Sequence, residues 1–413
     1  MSTRNSSAII PQYMRDFSCI GSACEDSCCI GWKVSIDEDT YKKYNRVRDK
    51  DLTFTLQKKV TRNRSNPSPN NYAKIKMEQD GSCPFLDTEK LCSIQKKLGE
   101  EYLSTTCATY PRMTRNVNDV LEQSGTVSCP EIARLALLNP DGIEFDEVQN
   151  QVDGRSVNVG SLDTSDIRLK NSPKKYLWEL RIFTISLLQN RMYPLQDRLI
   201  ILGMFYNKLS ELINEKQLDQ IPTLISSYTN IVESGSLRES LNGIPTQQNL
   251  QMELIKAMTD ERFRMGIKNE RFLQCFTEAL LGLGYVKDSL YADVAAKYSE
   301  MISLYYEPFM NEHEYIMENY LVNHVFKNTF PFSEYENVFE EYVMLVVHFS
   351  IIKMLFIGVG GYHKGMTTDL AVKIIQSFSK MFEHNKSFLT KMSDTLKKNG
   401  YTSMAYMSIL IKN

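Results

Sequence analysis

Cys19-Ile-Gly-Ser-Ala-Cys24-Glu-Asp-Ser-Cys28-Cys29-Ile-Gly-Trp32 brings four thiols into eleven residues, two of them adjacent. Cys83, Cys92, Cys107 and Cys129 follow, so eight of the nine cysteines fall in the first third of the chain and Cys275 alone lies beyond it. Apolar packing has no use for so many small sulfur side chains in one region; a metal site does. The spacings are Cys-x4-Cys-x3-Cys-Cys and then Cys-x8-Cys-x14-Cys-x21-Cys. Thiolates select zinc or iron–sulfur clusters over hard cations. The paired Cys-x2-Cys knuckles of zinc ribbons are absent. Mixed loop lengths with adjacent cysteines suit an iron–sulfur cluster, whose irons occupy a larger volume. Zinc remains the alternative, and eight sulfurs allow two sites or one site with spare thiols.

The rest of the composition is that of an ordinary soluble protein of 413 residues, 42% hydrophobic and 24% charged, with a net charge of −2. That balance argues against a general nucleic-acid binder or an anionic-membrane binder. The opening residues Met-Ser-Thr-Arg-Asn-Ser-Ser-Ala-Ile-Ile-Pro lack the apolar run of a secretory signal. A cytoplasmic location with reduced thiols free to bind metal is therefore expected.

Around the cysteines the residues read as short mixed elements. Trp32, Val34 and Ile36 alternate with polar neighbours as a half-buried strand does. Asp37 is placed to cap a helix that carries Tyr41, Tyr44 and Val47 or Arg48 on one face. Thr61 to Asn71 is a loop by composition, and Ala73, Ile75 and Met77 alternate again. After the Asp80-Gly81 turn, Thr88-Glu89-Lys90 reverses the chain so that Cys92 returns beside Cys83. A short helix ends at Leu98-Gly99. Met113 to Ser124 forms a hairpin turning at Asn118-Asp119. Cys129-Pro130 opens a helix whose free N–H groups and dipole would stabilise the Cys129 thiolate.

Residues 146–175 are polar and weakly periodic, and are read as a linker between a cysteine-cluster metal-binding domain at 1–145 and a helical domain at 176–413. Beyond the linker helical periodicity dominates: Tyr176–Gln189, Leu199–Ile213, the stripe Leu250, Leu254 and Met258, and the stripe Phe272, Phe276 and Leu280. Ile374, Ile375, Phe378, Met381 and Phe382 make one late stripe, and Phe388, Met392 and Leu396 another. Tyr342–Ile357 is nearly all apolar yet flanked by Glu340 and Glu341, which points to the central helix of a bundle rather than a membrane insertion. The fold class expected is mainly α, a small α+β cysteine-rich domain followed by an all-α helical bundle.

Other chemistry is sparse. There is no P-loop and no dinucleotide-binding glycine fingerprint; Gly282-Leu-Gly284 and Gly358-Val-Gly-Gly361 read as turns. His348 sits on the apolar segment as a satisfied core histidine, while His363 and His384 lie in polar surroundings.

Taken together, Phe17-Ser-Cys19-Ile-Gly-Ser-x-Cys24-x-x-x-Cys28-Cys29-x-Gly-Trp32, Cys83-Pro-Phe-Leu86, Cys92-x-Ile94 and Leu103-Ser-x-x-Cys107-x-x-Tyr110-Pro111-Arg112 resemble the bacterial flagellin lysine N-methylases. The first third also resembles cysteine-cluster proteins assigned a zinc- or iron-chelating role. Asn319-Tyr320-Leu-Val-Asn-His-Val-Phe326-Lys327-Asn328-x-Phe330-Pro331-Phe332 and Gly361-Tyr-His363-Lys, with the helix ending near His384, are similar to blocks of the methylases. The resemblance runs nearly end to end. It implies methyl transfer from S-adenosylmethionine to lysine amines of flagellin, with an associated [4Fe-4S] cluster. The Cys-x3-Cys-x2-Cys of most radical S-adenosylmethionine enzymes is absent, as is a Rossmann-type methyltransferase fingerprint.

The residues so implicated are Cys19, Cys24, Cys28, Cys29, Cys83, Cys92, Cys107 and Cys129 as metal ligands. Tyr110, Arg112 and His363 are the catalytic candidates, and Arg112 and Asn328 the cofactor-binding ones, Arg112 as a bidentate partner for a carboxylate. The competing expectation is a non-catalytic metal-cluster scaffold or redox sensor.

Overall fold

The computed structural model describes residues 7–31, 33–65, 67–149, 158–251, 269–285, 291–335, 337–383 and 386–412, and for 158, 159, 291 and 386–388 the backbone only. Trp32, Leu254, Met258 and His384 lie outside the described residues, as does the side chain of Phe388. The chain divides into two compact units, Met1–Ile132 with Phe145–Leu162, and Ala133–Glu144 with Asp163–Asn413.

The first unit is α+β and holds two small sheets. One has three strands in the order β2 (Ser35–Ile36), β4 (Ala73–Ile75), β3 (Val60–Arg62). Thr61 and Arg62, read as loop, extend β3, because Val60 to Arg62 pair in register with Ile75 to Ala73. Asp37 caps helix α1 (Glu38–Tyr44), its carboxylate accepting from Thr40 N at 2.8 Å. Helix α2 (Lys50–Lys59) follows; its low apolar content hides it from periodicity, since only Leu52 and Leu56 are buried. Val34, Ile36, Tyr44, Leu52, Leu56, Ile75, Phe85 and Ile94 form one apolar core with Cys83.

The other sheet has five strands in the order β7 (Phe145–Gln149), β1 (Ser7–Pro11), β6 (Val120–Gly125), β5 (Arg112–Val117), β8 (Asn158–Leu162). The β5–β6 hairpin turns at Asn118 and Asp119, both at positive φ (54° and 61°), as a two-residue turn of the primed type requires. Its other pairings join distant segments: β1 lies parallel to β6 and β8 parallel to β5. Two of these strands come from the stretch read as a linker. Tyr13 ties the sheet together from outside it, its hydroxyl accepting from Gly125 N at 2.9 Å.

The second unit is helical. Its centre is the helix Val338–His363, apolar and long enough to cross a membrane and wholly buried here over that apolar window. Gly358 to Gly361 belong to this helix and do not form the expected turn. The glycines are there for close approach: a Cβ on Gly282 would come within 1.9 Å of the Gly358 carbonyl oxygen, so the helix Glu270–Gly282 and the central helix meet backbone to backbone.

Leu177–Leu188, Leu195–Asn214 and Thr368–Phe382 form where periodicity places helices, with Ile374, Ile375, Phe378, Met381 and Phe382 all buried. Arg198 is fully buried, and the structure answers each face of its guanidinium. It donates to Tyr193 O (2.7 Å), Leu188 O (2.5 Å) and Glu318 Oε2 (2.6 Å), and pairs with Glu314.

Candidate metal centre

The cysteine loops fold so that sulfurs distant in sequence become neighbours. Gly81, at φ +84°, turns the chain into Cys83, whose N–H donates to Cys29 O at 2.8 Å. Lys90, at φ 60°, reverses it again, and Leu86 pairs antiparallel with Cys92. Cys92 then stands at the N-cap of helix α3 (Ser93–Leu98), which Gly99 ends. Ser104 caps helix α4 (Thr105–Thr109), its Oγ accepting from Cys107 N at 3.3 Å.

Four thiols gather by this route. Cys83 feels the charge of Cys107, Cys92 and Cys28, and Cys107 that of Cys92 and Cys28. A second group adjoins it, since Cys129 feels Cys24 and Cys19, and Cys24 feels Cys28. Tyr110 is near Cys129 and Cys28, one from each group. Cys29 packs its side chain against the apolar core. Among the described residues no three cysteine sulfurs lie within 4.8 Å of one another.

Burial pushes the Cys83 thiol up to about 12, against the Phe85 N–H that favours the thiolate. Cys107 rises to about 11 for the same reason, and Cys92 and Cys24 also rise. Cys129 was expected to gain thiolate character at its helix start. The N–H groups of Ile132 and Glu131 do favour the thiolate, but burial outweighs them and carries it up to about 11. These groups are therefore poor free nucleophiles; a bound cation is what would deprotonate them.

Of the remaining candidates, Tyr110 is half-buried, its hydroxyl 3.2 Å from Ser128 Oγ, and desolvation drives its phenol well above the ordinary value. Arg112 stacks on the Phe17 ring at 4.9 Å, and among the described residues its guanidinium has no carboxylate partner. Both belong to the first unit. In the helical unit, Asn328 caps the helix Glu307–Lys327, and His363 ends the central helix with its Nε2 3.1 Å from Glu278 Oε2. From position 348 to 363 the central helix rises about 22 Å, which separates His363 from the histidines near its middle.

Those histidines are what sequence reading missed. His324 and His348 meet edge to face, 5.2 Å between ring centroids, beside Tyr320, Lys327 and Glu383. Burial and the neighbouring His324 push the His348 imidazole down to about 3, so it stays neutral. No spacing rule links them, because the residues come from separate helices.

A model of the FliB lysine N-methylase C-terminal domain matches residues 181–410, more than half of the chain. The chain is 24% identical over 386 residues to the lysine-N-methylase of Salmonella typhimurium, covering 91% of each. It is 23% identical over 384 residues to that of Salmonella choleraesuis, again 91% of each. Over 138 residues, 33% of this chain, it is 36% identical to the flagellar biosynthetic protein FliU of Salmonella muenchen, covering 80% of that protein. No solved structure matches.

Proposed function

The chain belongs to the FliB lysine N-methylase family, and from that membership we propose that it is a protein-lysine N-methyltransferase. Its substrate in this reading is flagellin, its methyl donor S-adenosylmethionine, and its thiols hold an iron–sulfur cluster. The observation that carries the reading is the extent of the likeness: it covers 91% of this chain and of the methylase relatives, so it includes both the cysteine unit and the helical unit.

The donor supplies a sulfonium methyl group open to attack by an amine. A lysine ammonium must first lose a proton, its ordinary pKa being near 10.4, so the protein has to desolvate it or take the proton. Tyr110 is unsuited to be that base, because burial keeps its phenol protonated; it serves as a hydrogen-bonding wall beside the thiols. Arg112, held by Phe17 and without a carboxylate of its own, is the group to receive a carboxylate such as that of an amino-acid methyl donor. His363 pairs with Glu278 at 3.1 Å at the far end of the central helix, whereas Asn328 caps the helix Glu307–Lys327 next to His324; the two cannot serve one reacting centre, and neither takes a step in this reading. The thiols Cys28, Cys83, Cys92 and Cys107 are the ligands assigned to the cluster, with Cys19, Cys24 and Cys129 as a second sulfur group.

The test is the intact mass of flagellin produced together with this protein, beside a control carrying Cys24→Ser, Cys28→Ser and Cys29→Ser. Methyl-sized increments with the unaltered chain only are expected, and peptide mapping would place them on lysines. No increment from folded, metal-loaded protein would sink flagellin as the substrate.

A further inference from the structure

His348, read from sequence as a satisfied core histidine, is satisfied on one side only. Its Nδ1 lies 3.2 Å from the Tyr320 hydroxyl, and that hydroxyl donates to Glu383 Oε1 at 2.9 Å. A phenol has one hydrogen, here committed to the carboxylate, so the hydrogen shared between Tyr320 and His348 sits on Nδ1. The tautomer follows: His348 Nε2 carries a bare lone pair, and it is buried with no hydrogen-bond partner among the described residues. His324 Nδ1 is buried and equally without one, and stands 3.9 Å from Glu383 Oε1. Two orphaned ring nitrogens on adjoining rings cost free energy unless a partner meets them.

One nitrogen of each ring and one oxygen of Glu383 lie within 4.8 Å of one another. We propose that His324, His348 and Glu383 form a sulfur-free site for a divalent transition metal of borderline softness, with zinc the ion its ligand set suits. Two imidazoles and a carboxylate are the three-ligand set of open zinc sites, leaving a further position for water or a ligand. His324 comes from the helix Glu307–Lys327, His348 from the central helix, and Glu383 from the end of Thr368–Phe382, so one ion would cross-link three helices. Tyr320 holds both the carboxylate and the ring, as outer-shell groups of such sites do. The His324 side chain, 14% exposed, gives the ion its way in. Lys327 pairs with the far oxygen, Oε2, and its charge opposes the ion; Lys327 thereby limits the affinity. The proposed site uses none of the thiols and none of the residues named above for methyl transfer.

Cobalt(II) is the probe that separates the two sites, because thiolates give it near-ultraviolet charge-transfer bands and an imidazole–carboxylate set does not. Added to the full chain with its thiol centre loaded, cobalt should produce visible ligand-field bands alone. His324→Gln should lose those bands and one metal equivalent while keeping its circular dichroism, and His348→Gln gives the same reading from the opposite ring. Lys327→Met should bind cobalt more tightly, on the order of tenfold or more, once the opposing charge is gone. No visible band in the unaltered chain, or unchanged bands in folded His324→Gln, overturns the proposal.

Discussion

Asp37 closes on Thr105 across 68 positions of sequence: its Oδ2 accepts the Thr105 N–H and the Thr105 hydroxyl, each at 3.0 Å. The same carboxylate accepts Thr40 N and the Thr40 hydroxyl at 2.8 and 2.9 Å. One side chain therefore secures the starts of α1 and α4, and α4 carries Cys107 into the thiol group. Burial raises the Asp37 carboxyl, but these four hydrogen bonds prevail and hold it below the ordinary carboxylate value.

Asp37→Ala should cost about 1–2 kcal/mol for the lost cap and weaken retention of metal by displacing Cys107. Urea unfolding and metal content after dialysis would measure the two effects. The depressed carboxyl also fixes a sign: its stabilisation is present above the unfolded pKa of ~3.9 and lost as pH falls through the lower folded value. Below about pH 4 the unaltered protein should therefore lose stability more steeply than Asp37→Asn. Parallel acid curves would show that the carboxylate contributes nothing beyond packing.

Serine at Cys28, Cys83, Cys92 or Cys107 should lower bound metal and destabilise the first unit, since each leaves the proposed thiol site one ligand short. Cys275→Ser should leave metal content unchanged. That thiol is buried in the helix Glu270–Gly282, 3.9 Å from the Ser377 hydroxyl, with no other cysteine beside it among the described residues. Metal analysis across this series decides the assignment; an equal loss in Cys275→Ser would refute it.

The sequence carried the local structure well and the long-range structure poorly. The Asp37 cap, the return of Cys92 beside its partner strand, the Gly99 helix end and the Asn118-Asp119 turn each depend on a few adjacent residues, and each is present. Strands β7 and β8 were illegible because Phe145-Asp-Glu-Val-Gln149 and Asn158-Val-Gly-Ser-Leu162 are polar edge strands that owe their pairing to β1 and β5. The eight clustered thiols raise the expectation of a metal site, but which of them come near one another is set by loop geometry, which no spacing rule reads. His324, His348 and Glu383 gave no signal at all, since helix packing alone unites them.

Gly282→Ala should be among the most damaging conservative changes in the helical unit. The added methyl would stand 1.9 Å from Gly358 O and 2.6 Å from Tyr362 N, both backbone atoms that no rotamer change can move aside. The helices must separate, at a cost of roughly 3 kcal/mol or more. Gly284→Ala is the contrast: nothing lies within 4 Å of its Cβ, and its penalty comes only from φ +68°. Thermal unfolding of the pair should rank them in that order, and equal shifts would show that the contact between the two helices can relax.

Lys353 sets a stability change on the alkaline side. Its ammonium is buried on the central helix and donates to Ile411 O at 2.9 Å and Lys412 O at 3.1 Å, carbonyls at the end of the last helix. Burial lowers its pKa to about 7, against the opposing pull of Glu307. The folded value lies below the unfolded value of ~10.4, so between these limits the unfolded chain binds more protons. The penalty for holding a charged lysine inside is full below pH 7 and disappears as pH rises toward 10. Stability should therefore climb with pH across that window, relative to Lys353→Met, in which the titrating group is gone. Denaturant midpoints of both proteins at pH 6, 8 and 10 would test it, and curves that stay parallel would show that Lys353 keeps its ordinary pKa inside the fold.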